Sequence, residues 1–354
     1  MTTTQPRRFG FKRWIVTALI VLGAILGYGL FGVSPIFKPI APAVVLPAEP
    51  IWPGLNILPG LAFTNTLLAT LIADIIVLLL GFAAWRFASS GKLVPSGVYH
   101  IVELIVEFLW NTTESTAGKW AKRIFPIMAT IFLLVLVSNI IDLIPGFESI
   151  GYLEPAHGSV KGYAPVEIAE NVYALDGSHV VTAEHAGEAA PAEEGLCTAC
   201  TVVPFLRGAA TDLNFTFALA VIAVIAIQVF GFWALGVSYL GKFFNTGGMI
   251  SKPIFGVIDF GVGLLEIVSE ISKILSFGFR LFGNIFAGAL LLSILGSLTV
   301  VIVPSMLYVL ELFVGAIQAY VFSMPALVFI SQAVVSHHGD DHAEHAEPAA
   351  APAH

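Results

Sequence analysis

Charged residues are scarce in this sequence: they make up 11% of its 354 residues, whereas soluble domains carry about 25%. Cysteine is nearly absent, since there are only two, and this excludes a disulfide framework as the main source of stability. No phosphate-binding Gly-Lys-Ser/Thr motif occurs, so we expect that the chain does not bind or hydrolyse ATP itself. We also assign it no cofactor and no functional metal site. Together with 57% hydrophobic residues, these absences argue against a soluble enzyme, a nucleic-acid-binding protein and a disordered chain.

Long apolar runs dominate what is present. A helix needs about 20 mostly apolar residues to cross a bilayer. Six runs meet this length: Trp14–Val33, Leu61–Trp85, Ile124–Ile144, Phe215–Leu240, Pro253–Leu295 and Val300–Val334. The sequence therefore predicts an all-α integral membrane protein with six membrane segments.

Basic residues predict the orientation of these runs. If the runs alternate in direction, eleven Lys and Arg residues fall on the side of the N-terminus and three fall on the other side. The positive-inside rule then places both termini inside. The first run is either a retained anchor or a signal peptide, and its core of about 20 residues favours the anchor because signal cores usually have about 7–15.

Polar segments divide the chain into five parts. These are an N-terminal anchor and outer linker (1–60), two membrane helices with an intervening amphipathic surface helix at Pro95–Ser115 (61–146), an acidic outer loop (147–210), the remaining membrane helices (211–335) and a His-rich acidic tail (336–354). The outer loop holds nine acidic and two basic residues between Glu148 and Arg207, so it carries most of the net charge of −8.

The last two runs are too long for a perpendicular crossing. The fifth has about 40 residues and would measure about 60 Å as a helix, twice the hydrocarbon thickness of about 30 Å. It must tilt or break. With a turn near Leu298–Thr299, the two runs form an oblique hairpin whose facing residue numbers sum to about 598, so that Gln318 lies level with Arg280.

Ionisable side chains recur inside these runs. A seven-residue spacing places four of them on one slowly winding stripe of the fifth run: Asp259, Glu266, Lys273 and Arg280. Other polar residues lie near that stripe or on the third and sixth runs: Ser269, Glu270, Ser276, Asn284, Asn139, Asp142, Glu311 and Gln318. Each is a functional candidate, because a charge in hydrocarbon costs several kcal/mol unless it is paired or hydrated.

Simpler roles account for some of these charges. Lys273 can act as the counter-ion of Glu266 or Glu270, one or two helical turns away. Asp259 can contact headgroups or water, and Asp74 can form a hydrogen bond to a neighbouring helix. Arg280 has no such simple explanation, because its guanidinium does not lose its proton in proteins and its neighbours are mostly apolar.

The motif around Arg280, LSFGFRLFGNIFAG at Leu275–Gly288, resembles the signature of subunit a of F-type ATP synthases. Further motifs follow the order of that family: Lys92–Gly97, Asn139–Gly146, Thr211–Phe215 and Glu311–Gln318. The resemblance extends over roughly Asn65–Val335 and is interrupted by the outer loop.

This resemblance implies an ion-conducting stator subunit that works against a rotating ring of small two-helix proteolipid subunits. It also implies peripheral stalk subunits and an energy-transducing membrane such as a bacterial plasma membrane. Arg280 would face the ring carboxylate and block direct leakage, with Asn284 and Gln318 as its polar neighbours. The implied outer half-channel contains Asn139, Asp142 and Glu311, and the implied inner half-channel contains Glu266 and Ser269.

The sequence departs from the family pattern at Ala289, where many relatives carry His or Glu. The partner of Glu311 is then missing or replaced by water, and neither of the last two runs contains a His. The outer loop is longer than the family pattern suggests. Whether the ion is a proton or sodium stays open, because the ring contributes most of the ion site.

Alternatives remain open for the polar segments and for the function. Cys197 and Cys200 suit a disulfide or a weak metal site, and a passive surface insertion is the simplest interpretation of their loop. The His-rich tail is expected to be solvated. An independent transporter would show paired halves with interrupted helices, and no internal repeat is visible. A non-conducting scaffold would not need buried acids or a mid-membrane Arg.

Overall fold

This computed structural model describes residues 40, 47–51, 56–58, 61–89, 98–144, 146–156, 160–181, 197–243, 253–298 and 302–335. Several predictions from the sequence lie outside these residues: the first apolar run at Trp14–Val33, the Lys92–Gly97 motif and the His-rich tail. Residues 182–196 of the acidic outer segment also lie outside them.

The described residues are mostly helical, as predicted. Their α-helices are α1 (Asn65–Ala88), α2 (Val98–Ala117), α3 (Ala121–Asp142), α4 (Leu213–Leu235), α5 (Pro253–Leu298) and α6 (Ile302–Ala333). Five helical stretches are long and apolar enough to cross a membrane: Asn65–Ala88, Tyr99–Asp142, Leu213–Lys242, Gly261–Gly296 and Val303–Ala333. They cover five of the six predicted runs, and the chain is a multi-pass membrane protein.

Helix α5 is much longer than a perpendicular crossing of the membrane requires, as the sequence predicts. Its 46 residues correspond to about 69 Å at about 1.5 Å per residue. Pro253 opens the helix, at a position where the missing backbone N–H removes no intrahelical hydrogen bond. Apolar side chains remain exposed along it, such as Leu265 and Phe279, which suits contact with lipid or with other subunits.

The contacts group the chain into two compact units. The first unit contains the described residues up to Asp74, those of Leu136–Phe215 and those of Phe282–Gln318. The second unit contains those of Ile75–Val135, of Thr216–Leu281 and from Ala319 onward. Helices α1, α3, α4, α5 and α6 contribute to both units, so each unit is described below by itself.

The acidic outer segment folds into an antiparallel sheet that the sequence analysis did not predict. Its order is β3-β6-β4-β5, with β3 at Gly151–Pro155, β4 at Gly162–Ala169, β5 at Val172–Val181 and β6 at Cys200–Pro204. A smaller pair precedes α1, with β1 at Asn56–Leu58 and β2 at Leu61–Ala62. Tyr163, Leu175 and Cys200 form the buried core of the larger sheet.

A local signal for the β4–β5 hairpin was present in the sequence. The two strands are joined by Glu170 and Asn171, and Ala169 pairs with Val172. Asn171 adopts a positive φ of 61°, which Asn tolerates better than most residues. The segment 147–210, which is described from its composition as an acidic outer loop, therefore contains these strands.

Cys197 and Cys200 form a disulfide at the start of β6. Among the described residues, no group of three or more His, Cys, Asp and Glu side chains is placed to hold a metal. Of the interpretations left open by the sequence, the structure therefore supports the local disulfide.

We expect reduction of this disulfide, or Cys200→Ser, to loosen the sheet without unfolding the membrane helices. Closing a loop this short accounts for about 2 kcal/mol on the chain-entropy scale, and Cys200 is buried in the sheet core. Limited proteolysis of membrane vesicles from the outer side should cut the outer segment faster. Equal cleavage rates with and without reductant would contradict this expectation.

Candidate ion pathway

Arg280 lies near the middle of the candidate span Gly261–Gly296. Its half-buried side chain donates hydrogen bonds to the Ser276 hydroxyl (3.3 Å) and to the backbone carbonyl of Val321 (3.4 Å). Among the described residues, no carboxylate oxygen lies within 4.0 Å of its guanidinium. Within the described part of the chain, this permanent cation therefore has only neutral acceptors, at the long end of the hydrogen-bond distance range.

The face of α5 that carries Arg280 is lined by small and polar side chains. Ser276, Gly283 and Asn284 are exposed, and a Cβ added at Gly283 would meet no atom within 4 Å. Leu281 and Ile285, which lie about 100° and about 140° around the helix from Arg280, are buried. The helix is therefore packed on one side and open on the side of the guanidinium.

Asn284 and Gln318 contact each other within the first unit. The Asn284 amide donates to the Gln318 side-chain oxygen at 2.7 Å. Gln318 is buried, and its Nε2 has no hydrogen-bond partner among the described residues. The predicted register placed Gln318 level with Arg280, whereas its observed contact is one helical turn further along α5, at Asn284.

The polar residues that end α3 also lie in the first unit. The Asn139 amide donates to the Gly315 carbonyl of α6 at 3.1 Å. Asp142 lies against Gly208, and a Cβ added at Gly208 would clash with the Asp142 carboxylate. The Oδ1 atom of Asp142 is buried without a hydrogen-bond partner in the described part of the chain. Glu311 lies against Gly288 in the same way. Glycine at these two positions leaves the space that the carboxylates occupy.

A cavity of about 720 Å³ in the first unit brings charged residues of distant segments together. It is here called the outer cavity, because the acidic segment on its wall is predicted to lie outside. The charged residues of its wall are Glu49, Asp142, Glu148, Glu154, Lys161, Arg207 and Glu311, and its phenols are Tyr163 and Tyr308. Burial raises the pKa of Glu49, and the nearby Arg207 guanidinium partly offsets this.

Ala289 also lies on the wall of the outer cavity, as does Glu311. The position where the family pattern led us to expect a polar side chain therefore presents a methyl group to an open space. This geometry leaves room for water near Glu311, which is one of the two alternatives that the sequence left open.

Acidic residues of the second unit form a connected ion-pair network. Lys242 contacts Glu266 at 2.7 Å and Glu270 at 3.0 Å, and Lys273 contacts Glu270 at 2.8 Å. The predicted pairing of Lys273 with Glu266 or Glu270 is confirmed for Glu270. Ser269 is exposed beside this network on α5.

Sequence reasoning missed Lys242 as a site residue. It ends the 3₁₀ segment Gly236–Lys242 that follows α4, 24 residues before Glu266 along the chain. No periodic pattern connects the two positions, so only the tertiary structure reveals the pair. Of the remaining predicted charges, Asp74 is half-buried in α1, and the side chain of Asp259 lies outside what the structure describes.

These features define a multi-pass membrane protein whose long helices carry polar and charged side chains. The family model described as "ATP synthase A chain" matches residues 67–331. The chain belongs to this family, as the resemblance around Arg280 predicted.

Similar proteins bear the name ATP synthase subunit a. The one from Mycobacterium bovis is 28% identical over 275 residues, covering 77% of this chain and 87% of the relative. The one from Pseudoalteromonas atlantica is 32% identical over 284 residues, covering 77% and 88%. The one from Moorella thermoacetica is 24% identical over 266 residues, covering 74% and 88%.

Proposed function

We propose that this chain is the proton-conducting stator subunit of a rotary F-type ATP synthase. Two offset half-channels load and unload the carboxyl groups of a rotating ring of small two-helix proteolipids, and Arg280 blocks direct leakage between them. ATP is made elsewhere in the complex, to which peripheral stalk subunits attach this chain. Membership of the ATP synthase A chain family supports this proposal.

The observation that carries the proposal is the unpaired state of Arg280 in the middle of a membrane span. The guanidinium keeps its charge at all relevant pH values, and no described carboxylate of this chain lies within 4.0 Å of it. We infer that the partner anion of Arg280 comes from another subunit. The open face around Gly283 gives a neighbouring helix room to bring a carboxylate close.

The charge of Arg280 has two consequences for that carboxyl group. It favours the ionised form, so the ring carboxyl releases its proton when it reaches this position. It also repels a proton that approaches along the stator alone, so no continuous path crosses the membrane. Each proton must then travel with the ring, and one charge moving through 100 mV supplies about 2.3 kcal/mol for rotation.

The outer half-channel comprises Asp142, Glu311 and Asn139. Four buried polar atoms of the first unit have no hydrogen-bond partner among the described residues: Ser138 Oγ, Asn139 Oδ1, Asp142 Oδ1 and Gln318 Nε2. Buried polar atoms are nearly always hydrogen-bonded, and ordered water supplies the missing partners where there is room. A water chain past these atoms would carry protons from Asp142 toward the ring.

The inner half-channel comprises Glu266 and Ser269, with Lys242 holding the Glu266 carboxylate. It opens on the side where the positive-inside rule places both termini. Helices α5 and α6 form the oblique hairpin between the two half-channels. Contacts of Asn284 with Gln318, and of Gly288 with Glu311, support antiparallel packing of these helices.

Co-purification tests this assignment. Affinity capture of the tagged chain from its own membrane under mild detergent should yield a ring of small two-helix proteolipids as well. A tagged, unrelated multi-pass protein of the same membrane should not yield the ring. Capture of the chain alone, combined with solute transport by the purified chain in vesicles, would instead support an independent transporter.

A further inference from the structure

The outer sheet supplies a large part of the wall of the outer cavity. Strand β3 contributes Glu154, strand β4 contributes Tyr163, and strand β6 contributes residues 201–204. The opposite part of the wall comes from membrane helices and includes Asp142 and Glu311. All of these residues belong to the first unit, so the sheet and the polar helix ends share one cavity.

Hydrogen bonds connect this sheet to the start of a membrane helix. The Asn65 amide in the first turn of α1 donates to the Pro204 carbonyl at the end of β6 (3.3 Å). Arg207, just beyond β6, donates to the Pro47 carbonyl (3.1 Å). The end of β6 is therefore held against the start of α1, and the region just beyond β6 is held against the chain that precedes α1.

Gly208 brings two carboxylates close to each other. Its backbone N–H donates to Glu148 Oε1 at 3.3 Å, and its lack of a Cβ leaves room for the Asp142 carboxylate. Glu148 is exposed, whereas Asp142 Oδ1 is buried without a partner among the described residues. Both residues line the outer cavity. The exposed carboxylate of Glu148 therefore lies beside that of Asp142, at the end of membrane helix α3.

We propose that the outer segment is a vestibule of the outer half-channel and that Glu148 is the entry carboxylate that passes protons to Asp142. This inference rests on the proposed function. The cavity has room for on the order of 20 water molecules at about 30 Å³ each. The buried, unpartnered Asp142 Oδ1 on its wall needs a water or hydronium partner. The acidic composition of the segment raises the local concentration of cations, as clefts of one charge sign do.

Other charged groups face the same space and set the field that Glu148 experiences. Glu49 and Glu154 add negative charge, while Lys161 and Arg207 add positive charge. Glu148 differs from the other acids of the sheet region because it shares Gly208 with Asp142.

The test uses the whole ATP synthase complex in vesicles, with ATP synthesis driven by an imposed proton gradient. Glu148→Gln removes the charge and keeps the shape. We expect the outer proton concentration at half-maximal synthesis to rise about threefold to tenfold. The reason is that one negative charge, which attracts protons into a partly screened cavity, has been removed. Glu167→Gln, at an exposed position of β4 that does not line the cavity, is the matched control and should leave this value unchanged.

Blocking the vestibule gives a second measurement. Lys161 lines the cavity and is exposed, so Lys161→Cys can be labelled from outside with a bulky, membrane-impermeant maleimide. Labelling should slow synthesis at least about threefold. The same label on Val172→Cys, at the exposed edge strand β5, should have no effect.

Glu311→Gln in the same vesicles separates failure of this inference from failure of the proposed function. If Glu311→Gln stops synthesis while Glu148→Gln and the labelled Lys161→Cys behave as wild type, the vestibule is overturned and the proposed function stands. A lower maximal rate for Glu148→Gln with unchanged dependence on outer protons also overturns the entry role. Full synthesis by Glu311→Gln overturns the outer half-channel itself.

Discussion

Replacing Arg280 with alanine is expected to reduce ATP-driven proton pumping at least about a hundredfold and to open a passive proton leak. Two unit charges about 4 Å apart interact by about 4 kcal/mol at an effective dielectric constant of 20, and about 1.4 kcal/mol corresponds to a tenfold effect. Without this positive charge, the ionised form of the ring carboxyl would no longer be favoured at this position. The electrostatic barrier to protons between the half-channels would also disappear. Pumping is measured by quenching of a pH-sensitive dye in inverted membrane vesicles.

Two variants make this experiment specific. Arg280→Lys keeps the charge but loses the planar fork and the second donor nitrogen, so we expect activity between wild type and Arg280→Ala. Arg86→Ala removes an exposed cation from the last turn of α1 and should pump normally. Coupled pumping retained by Arg280→Ala, with the ring still bound, would contradict the mechanism.

Replacing Glu311 with glutamine is expected to lower both ATP synthesis and ATP-driven pumping at least about tenfold. Glutamine matches the shape of the side chain but cannot release a proton, and a positioned proton-transfer group contributes about 10²–10⁴-fold in rate. Glu311 is half-buried on the outer cavity against Gly288, and Ala289 offers no titratable group to replace it. The measurement is the initial synthesis rate under an imposed proton gradient.

A rescue variant distinguishes proton transfer from structural damage. Glu311→His restores a titratable group with an ordinary pKa of about 6.5 and should recover part of the rate. Glu170→Gln, in the exposed turn between β4 and β5, is the control and should match wild type. Wild-type rates for Glu311→Gln would remove this residue from the pathway.

The membrane part of the fold could be predicted from the sequence because its signals are local. Runs of apolar residues predict α1, α3, α4, α5 and α6 wherever the structure describes them. The length of α5 follows from the run alone, since the rise per residue of a helix is constant. The mostly apolar neighbours of Arg280 and the permanent charge of its guanidinium singled it out from the sequence alone.

The outer sheet could not be predicted with the same methods. Strands β3 and β6 have only five residues each. They pair with each other across more than 40 residues of sequence, so their register depends on contacts that no local pattern encodes. Acidic composition pointed to a solvated loop, and β4 shows no alternation of buried and exposed residues, because its burial decreases steadily from Gly162 to Ala169.

The sequence by itself determined which segments are apolar enough to enter the membrane and which side chains are unfavourable there. Both properties depend on the free energy of transferring each residue from water to hydrocarbon. Only the tertiary structure decided how those side chains combine. It placed Lys242 against Glu266, Asn284 against Gln318, and the acids of the outer segment around a cavity shared with Asp142 and Glu311. Such contacts join residues far apart in the chain, and close packing rather than hydropathy selects them.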